Sequence, residues 1–385
     1  MTKEEQLAVF KKIVSINSVN DNEGEVADYI ASLFKPYEGD DVKIEHVAYS
    51  QGRDNLVVTI GHGDRVLGFS GHEDTVAPGD LSLWDTDPFH PVVKDGKLYG
   101  RGACDMKSGL AAIVVAALEI LEKGEQLPGK IKLLLTVGEE LGNMGAAQLT
   151  KLGYADDLDG LMVAEPNDDL HKITYACKGV IDYHVTSFGK AAHSSTPEKG
   201  FNAIDPLLEF ANEAKAALAK FDHADPILGK LTHVITKINA GEQINSLAEK
   251  AQLAGNIRNV PEYPNDMIYD TLNDIVEKLN QQPGVHLVIK YTFPESPMGG
   301  DPNSPLLKLA QQVAHDQFGI DAEPVTSTGA NDGQEFTQSK KEFTSIEMGP
   351  GTDTAHQPNE YCNLDAYYQA IEFYQAFAKA FLSVK

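Results

Sequence analysis

Apolar residues recur along this chain in two ways: at the three-to-four-residue spacing of helices, and in short unbroken runs that suit strands buried on both faces. The helical spacing predicts a helix over Lys3–Val14, with Leu7, Phe10, Lys11 and Val14 on one face and Lys11 as the imperfect match. A second helix is predicted over Glu23–Phe34. A third, strongly amphipathic one covers Met106–Lys123, where Leu110, Ile113, Val114, Ala117, Leu118 and Leu121 share a face and Gly124 supplies the stop. Strands are expected at Asn55–Ile60, Val66–Ser70, Ile131–Val137, Leu161–Ala164 and Thr344–Met348, with further helices at Pro305–Phe318 and Leu364–Leu382. Strands alternating with helices in this order specify an α/β fold.

The middle of the chain has a different rhythm. Strands are expected at Gly179–Phe188, Leu231–Ile238, Ala248–Ile257 and Val285–Tyr291. A helix over Ala203–Lys220 turns Leu207, Leu208, Ala211 and Leu218 inward. Another over Asn265–Gln281 has Asn265 as N-cap and Ile268, Leu272, Ile275, Val276 and Leu279 inward. The order β-α-β-β-α-β is that of a ferredoxin-like unit. Residues 180–292 are therefore expected to form a domain inserted into an α/β domain made of residues 1–179 and 293–385.

The polar residues that follow the apolar runs carry the chemistry. His72 ends one strand, with Asp74 two residues on. Glu139 and Glu140 follow a second strand, Glu165 a third, and His356 a fourth after Gly349-Pro-Gly. In open α/β sheets, sites form outside the carboxyl ends of the strands. Asp105 precedes the Met106–Lys123 helix in a turn rich in glycine, where a carboxylate can reach two metals or simply favour the helix N-terminus. His72 with Asp74, taken alone, also suits a surface histidine beside an acid, and Glu139-Glu140 suits a solvated loop. Taken together, two histidines and several carboxylates without cysteine suit two divalent ions such as Zn, Co or Mn. His193, in Ala-His-Ser-Ser-Thr-Pro, can donate to an oxyanion, and Arg258 can pair with a carboxylate. The loop around Gly351 offers backbone donors for an anion.

Composition narrows the classes. The chain has 385 residues and a net charge of −25 at pH 7, which argues against nucleic-acid binding through phosphates. No apolar run reaches the length of a membrane span, and no secretory signal is visible at the start. Three scattered cysteines, Cys104, Cys177 and Cys362, make no disulfide framework and fit a cytoplasmic setting.

At these residues the sequence resembles the co-catalytic metallo-amidohydrolases, a family that includes desuccinylases, acetylornithine deacetylase, aminoacylase and carboxypeptidase G. The resemblance covers essentially the whole chain. It implies one zinc held by His72 and Glu165, a second held by Glu140 and His356, and Asp105 between them. It implies Glu139 as general base and acid, Asp74 orienting His72, and a cis peptide at Asp105–Met106. The inserted domain would be a lid and a homodimerisation surface, with His193 reaching the reacting carbonyl of the other protomer and Arg258 and Asn245 binding a substrate carboxylate. The implied reaction is hydrolysis of a small N-acyl amino acid, with N-succinyl-diaminopimelate first, then acetylornithine, other N-acyl amino acids or a dipeptide. A non-catalytic metal-binding descendant is the reading from another class. Ile244-Asn-Ser-Leu-Ala-Glu lacks the Val-Ile-Pro-Gly that follows Asn in desuccinylases, and Ala330 and Asn331 stand where Gly-Thr or Gly-Ser is common. Both departures bear on the substrate and leave the chemistry intact.

Overall fold

The computed structural model describes residues 1–383. They divide into two units, one of Met1–Ala176, Gly300–Ser327 and Asn331 onward, the other of Cys177–Gly299 with Thr328–Ala330.

The first unit is built on an eight-stranded sheet. Its order is Val42–Ser50, Arg53–Gly61, Lys130–Thr136, Val66–His72, Gly160–Val163, Thr344–Glu347, Lys172–Cys177 and Glu323–Ser327. The four central strands, Lys130–Thr136 through Thr344–Glu347, run parallel. Every residue of Val66–His72 and Gly160–Val163 is buried, as the unbroken apolar runs require. The last of these strands in sequence, Thr344–Glu347, inserts between Gly160–Val163 and Lys172–Cys177.

Helices cover this sheet. The Lys107–Glu122 helix is buried around its whole circumference from Lys107 to Ile120, so the amphipathic helix expected from the sequence is instead a core helix. It packs against the central strands, the Leu364–Ser383 helix and the Lys3–Ser15 helix, which leaves it no solvent face. Each Leu, Ile or Val it buries contributes roughly 1.5–3 kcal/mol. The Lys3–Ser15 helix opens on a capping box between Thr2 and Glu5. Its inward face is Val9, Phe10, Ile13 and Val14 rather than the row through Leu7 and Lys11, because the apolar stripe follows the β-branched residues of its second half.

The second unit has a four-stranded sheet, ordered Thr232–Ala240, Lys250–Arg258, Val180–Phe188, Leu287–Glu295, all antiparallel. The helices Ile204–Leu218 and Asn265–Asn280 pack on it and complete the βαββαβ order. This unit is wider than 180–292, because the last strand runs on to Glu295 and Cys177 pairs with Met298 beyond it. Two details differ from expectation. Leu208 is 46 % exposed, and Phe210 and Ala214 join Leu207 and Leu218 in the core, with Ala211 partly buried against it. The N-cap of the later helix is Pro264, not Asn265, whose side chain instead donates to Pro294 O and accepts from Asn259 Nδ2.

Candidate active site

Because the four central strands are parallel, their carboxyl ends lie along one edge of the sheet, and the polar residues that follow them converge. His72 ends its strand fully buried. Glu139 and Glu140 open a one-turn 3₁₀ helix just after Gly138, whose φ of 65° is one that a side chain would strain and whose Cβ would lie 2.8 Å from Arg53 Nη2. Glu165 lies two residues past Gly160–Val163. His356 lies in the loop after Thr344–Glu347, itself at a φ of 63°. Asp105 comes from the turn before Lys107–Glu122, and the Asp105–Met106 peptide is cis, as the resemblance implied.

Asp105 stands between the two histidines. Its Oδ1 is 3.1 Å from His72 Nε2 and its Oδ2 is 3.3 Å from His356 Nε2. Glu165 Oε1 lies 3.7 Å from His72 Nε2, and Glu140 Oε1 lies 3.0 Å from His356 Nε2. Glu139 Oε2 is 4.0 Å from His72 Nε2. Two groups of donor atoms able to hold a cation result, His72 with Asp105 and Glu140, and His72 with Glu139 and Glu165. The donors are nitrogen and oxygen only, a set that Zn, Co and Mn all accept.

Electrostatics fit the same reading. Burial pushes Glu165 and Glu139 well above the usual carboxylate range, with neighbouring carboxylates adding to the shift and His72 opposing it. Burial also opposes charge on His72, yet Glu165, Asp105 and Glu139 outweigh it and raise that imidazole well above its usual value. Hydrogen bonds to Asp105 and Glu140 raise His356 to about 10. Asp105 is held well below the usual range by His356 and His72, against the effect of its burial. Carboxylates pushed above their usual range, beside histidines pushed above theirs, describe a site whose charge balance a divalent cation would replace.

A measurable consequence follows. The ligating form of imidazole is neutral, so loading the metal-free protein near pH 7 should expel a proton from His356. The sign is fixed by the raised pKa: competition from the proton fades as pH rises towards 10, so apparent zinc affinity increases with pH across this range. Calorimetric titrations in two buffers of different ionisation enthalpy should report release of one or more protons per protein. Heats independent of buffer would contradict it.

Asp74 acts by two routes. His72 Nδ1 lies 3.0 Å from its main-chain carbonyl and 3.6 Å from its carboxylate. That carboxylate accepts the amides of Glu139 and Glu140 at 3.1 and 3.2 Å. One residue therefore orients the histidine and fixes the start of the glutamate turn. Gly351 differs from expectation. Its amide donates to Asp169 Oδ1 at 2.8 Å, so any anion would have to be held by other amides of the loop, and a Cβ there would meet Cys104 Sγ at 2.8 Å. Cys104 is a packing residue, its thiol pushed up to about 12 by burial.

The second unit carries the other expected residues. His193 is exposed, and its Nδ1 accepts the Ser195 amide at 3.2 Å, which assigns the ring proton of the neutral form to Nε2. Asn245 lies beside it, its carbonyl accepting the Ser194 amide at 2.9 Å. Arg258 donates from Nη1 to Thr328 O at 2.7 Å and from Nε to Asn256 Oδ1 at 3.3 Å, which leaves other guanidinium donors for a carboxylate.

Three buried groups at the site carry no sequence motif. Glu360 accepts the amides of Gly102, Cys104 and Asp105. Asp332 accepts from Ser70 Oγ at 3.1 Å and from Thr136 Oγ1 at 2.5 Å, and burial raises it to about 6. Lys107 donates to Ile16 O at 2.7 Å, and its ammonium is lowered by burial to about 7 against the pull of Asp74 and Glu360. Their only sequence signal is a charged residue beside a ligand or at a helix start.

A parallel-sheet domain with two clustered ligand groups at its carboxyl edge, together with a ferredoxin-like unit, defines a di-metal hydrolase. The chain belongs to peptidase family M20/M25/M40, whose model matches residues 68–380. It is 36% identical over 411 aligned positions to the probable succinyl-diaminopimelate desuccinylase of Staphylococcus aureus (strain MRSA252), covering 100% of this chain and 99% of that one. It is 29% identical over 372 positions to the succinyl-diaminopimelate desuccinylase of a Nitratiruptor species, covering 92% and 94%. Among solved structures, an M20 family metallo-carboxypeptidase from Sulfolobus solfataricus superposes with a TM-score of 0.79 at 19% identity, covering 99% of this chain and 100% of that one. A tripeptidase from Staphylococcus aureus superposes at 0.76 with 24% identity over the full length of both. Among the described residues no helix is long and apolar enough to cross a membrane.

Proposed function

We propose that this protein hydrolyses the amide of N-succinyl-LL-2,6-diaminopimelate, releasing succinate and LL-2,6-diaminopimelate. The observation that carries the reaction is Asp105, whose two oxygens divide between His72 and His356 with Glu139 alongside. Identity to desuccinylases along essentially the full chain supports the substrate. His72 and Glu165 would hold one cation, Glu140 and His356 the other, and Asp105 would bridge them. When bound, the pair supplies Lewis-acid polarisation of the scissile carbonyl and a water acidic near neutrality.

The chain's own groups do the rest. Glu139 takes the proton of the attacking water and returns one to the leaving amine, which suits a carboxyl that burial raises above its usual range. Asp74 keeps the Glu139 turn and the His72 ring in register. His193, protonated at Nε2, donates to the oxyanion, supplied from a second copy of the chain in a homodimer formed through the inserted unit. Arg258 and Asn245 bind the substrate carboxylates. The setting is the cytoplasm.

The test is a substrate panel on the zinc-loaded protein: N-succinyl-diaminopimelate, N-acetylornithine, N-acetylmethionine and a dipeptide, with kcat/KM for each. The succinyl substrate should lead by a hundredfold or more, about 2.7 kcal/mol of transition-state discrimination. A different leader would keep the mechanism and replace the substrate. Activity on none of the four, in protein that binds two metals, would count against catalysis itself.

A further inference from the structure

Glu360 lies four residues after His356 and is fully buried. The turn that carries Asp105 closes around its carboxylate. Oε1 accepts the amides of Cys104 and Asp105 at 2.8 and 2.9 Å. Oε2 accepts the amide of Gly102 at 3.0 Å and Nη1 of Arg101 at 2.5 Å. The Glu360 carbonyl accepts the Gly100 amide at 3.0 Å. Amides of one turn that converge on an anion form a nest of the type that holds phosphates and clusters. Here the chain fills the nest with its own carboxylate. Arg101 is buried beside it and balances the charge, so the carboxylate is no uncompensated ion in the core.

We propose that Glu360 is a positioning residue for the metal centre. By gripping the amides of Gly102, Cys104 and Asp105, Glu360 sets where the Asp105 carboxylate starts and keeps its oxygens divided between His72 and His356. The segment from His356 to Glu360 then delivers a ligand and the clamp on the bridging ligand together, so neither can shift without the other. A buried ion pair with Arg101 alone would stabilise the turn without controlling metal. The inference rests on the bridging role of Asp105 proposed above.

Glu360→Gln separates these readings. Glutamine keeps the shape but turns an NH2 towards donors, so one side of the nest is lost. Zinc affinity is measured by chelator competition at a temperature where the variant is fully folded by circular dichroism. Exchange coupling between two Mn(II) ions is read by electron paramagnetic resonance. The expected result is a roughly 10–100-fold loss of affinity, the usual effect of a group that orients a ligand. The coupling should weaken in parallel, with kcat falling more than KM rises. A lower melting temperature with wild-type affinity and coupling would overturn the proposal. Uncoupled Mn(II) in the wild type would instead overturn the bridging role of Asp105, and the inference with it. If Glu360→Gln does not fold, Glu360→Asp takes its place. It keeps the Arg101 pair but withdraws the carboxylate from the amides, and should reproduce the loss of affinity. Failure of both variants to fold would assign Glu360 to the architecture alone and overturn the proposal.

Discussion

Glu139→Gln is expected to bind two metals as the wild type does and to lose roughly 10²–10⁴-fold in kcat, the range for removal of a general base. The side chain keeps its volume and its place after Gly138, and its amide still donates to Asp74, so the turn should not move. Only proton transfer is removed. The measurement is steady-state kinetics beside a metal count on the same preparation. Activity within a few-fold of wild type would take Glu139 out of the mechanism. Loss of metal together with activity would make it a ligand, a role its approach to His72 Nε2 at 4.0 Å also permits.

Gly109→Ala is expected to destabilise the protein by about 3 kcal/mol, the upper end of the usual overpacking effect. A Cβ on Gly109 would fall 1.8 Å from Ala164 O and 2.9 Å from Ala164 C. These are backbone atoms at the end of a buried central strand, and no rotamer change relieves the clash. Either the helix that follows Asp105 moves, or the strand end that precedes Glu165 does. Both carry ligands, so metal affinity should fall along with stability. Calorimetry should show the melting temperature of the metal-free protein lowered by roughly 4–6 °C. An unchanged melting temperature would mean that helix and strand slide apart freely at this contact.

The candidate ligands were legible in the sequence because a polar residue at the end of an unbroken apolar run is conspicuous. His72, Glu139, Glu140 and Glu165 all interrupt such runs, and parallel strands bring those interruptions to one edge. The strands Val42–Ser50, Lys172–Cys177 and Glu323–Ser327 were not legible. Val42–Ser50 buries only its first and sixth residues, and Glu323–Ser327 buries none. With few core contacts, these two strands carry neither period; Lys172–Cys177, by contrast, buries five of its six residues. Glu360 and Asp332 escaped for another reason. A carboxylate is read as solvated unless its partners are known, and here the partners are amides and hydroxyls more than two hundred residues away for Glu360 and Ser70–Asp332. Gly351 looked like an anion-binding turn because backbone donors are visible in sequence and Asp169, which occupies its amide, is not.

The place of Thr344–Glu347 within the sheet has a consequence for how the protein is made. Gly160–Val163 is synthesised first and pairs with Val66–His72, but its other edge waits for Thr344–Glu347, which is translated much later. Until then a nascent chain displays an unpaired, wholly apolar edge, the template on which chains join one another. The ribosome must therefore release the chain through residue 347 before the sheet can close. The segment after that strand carries His356, so the second of the proposed metal positions is completed only when that hazard ends. Chains stalled or shortened before residue 344 should accumulate as aggregates rather than as a stable half-enzyme.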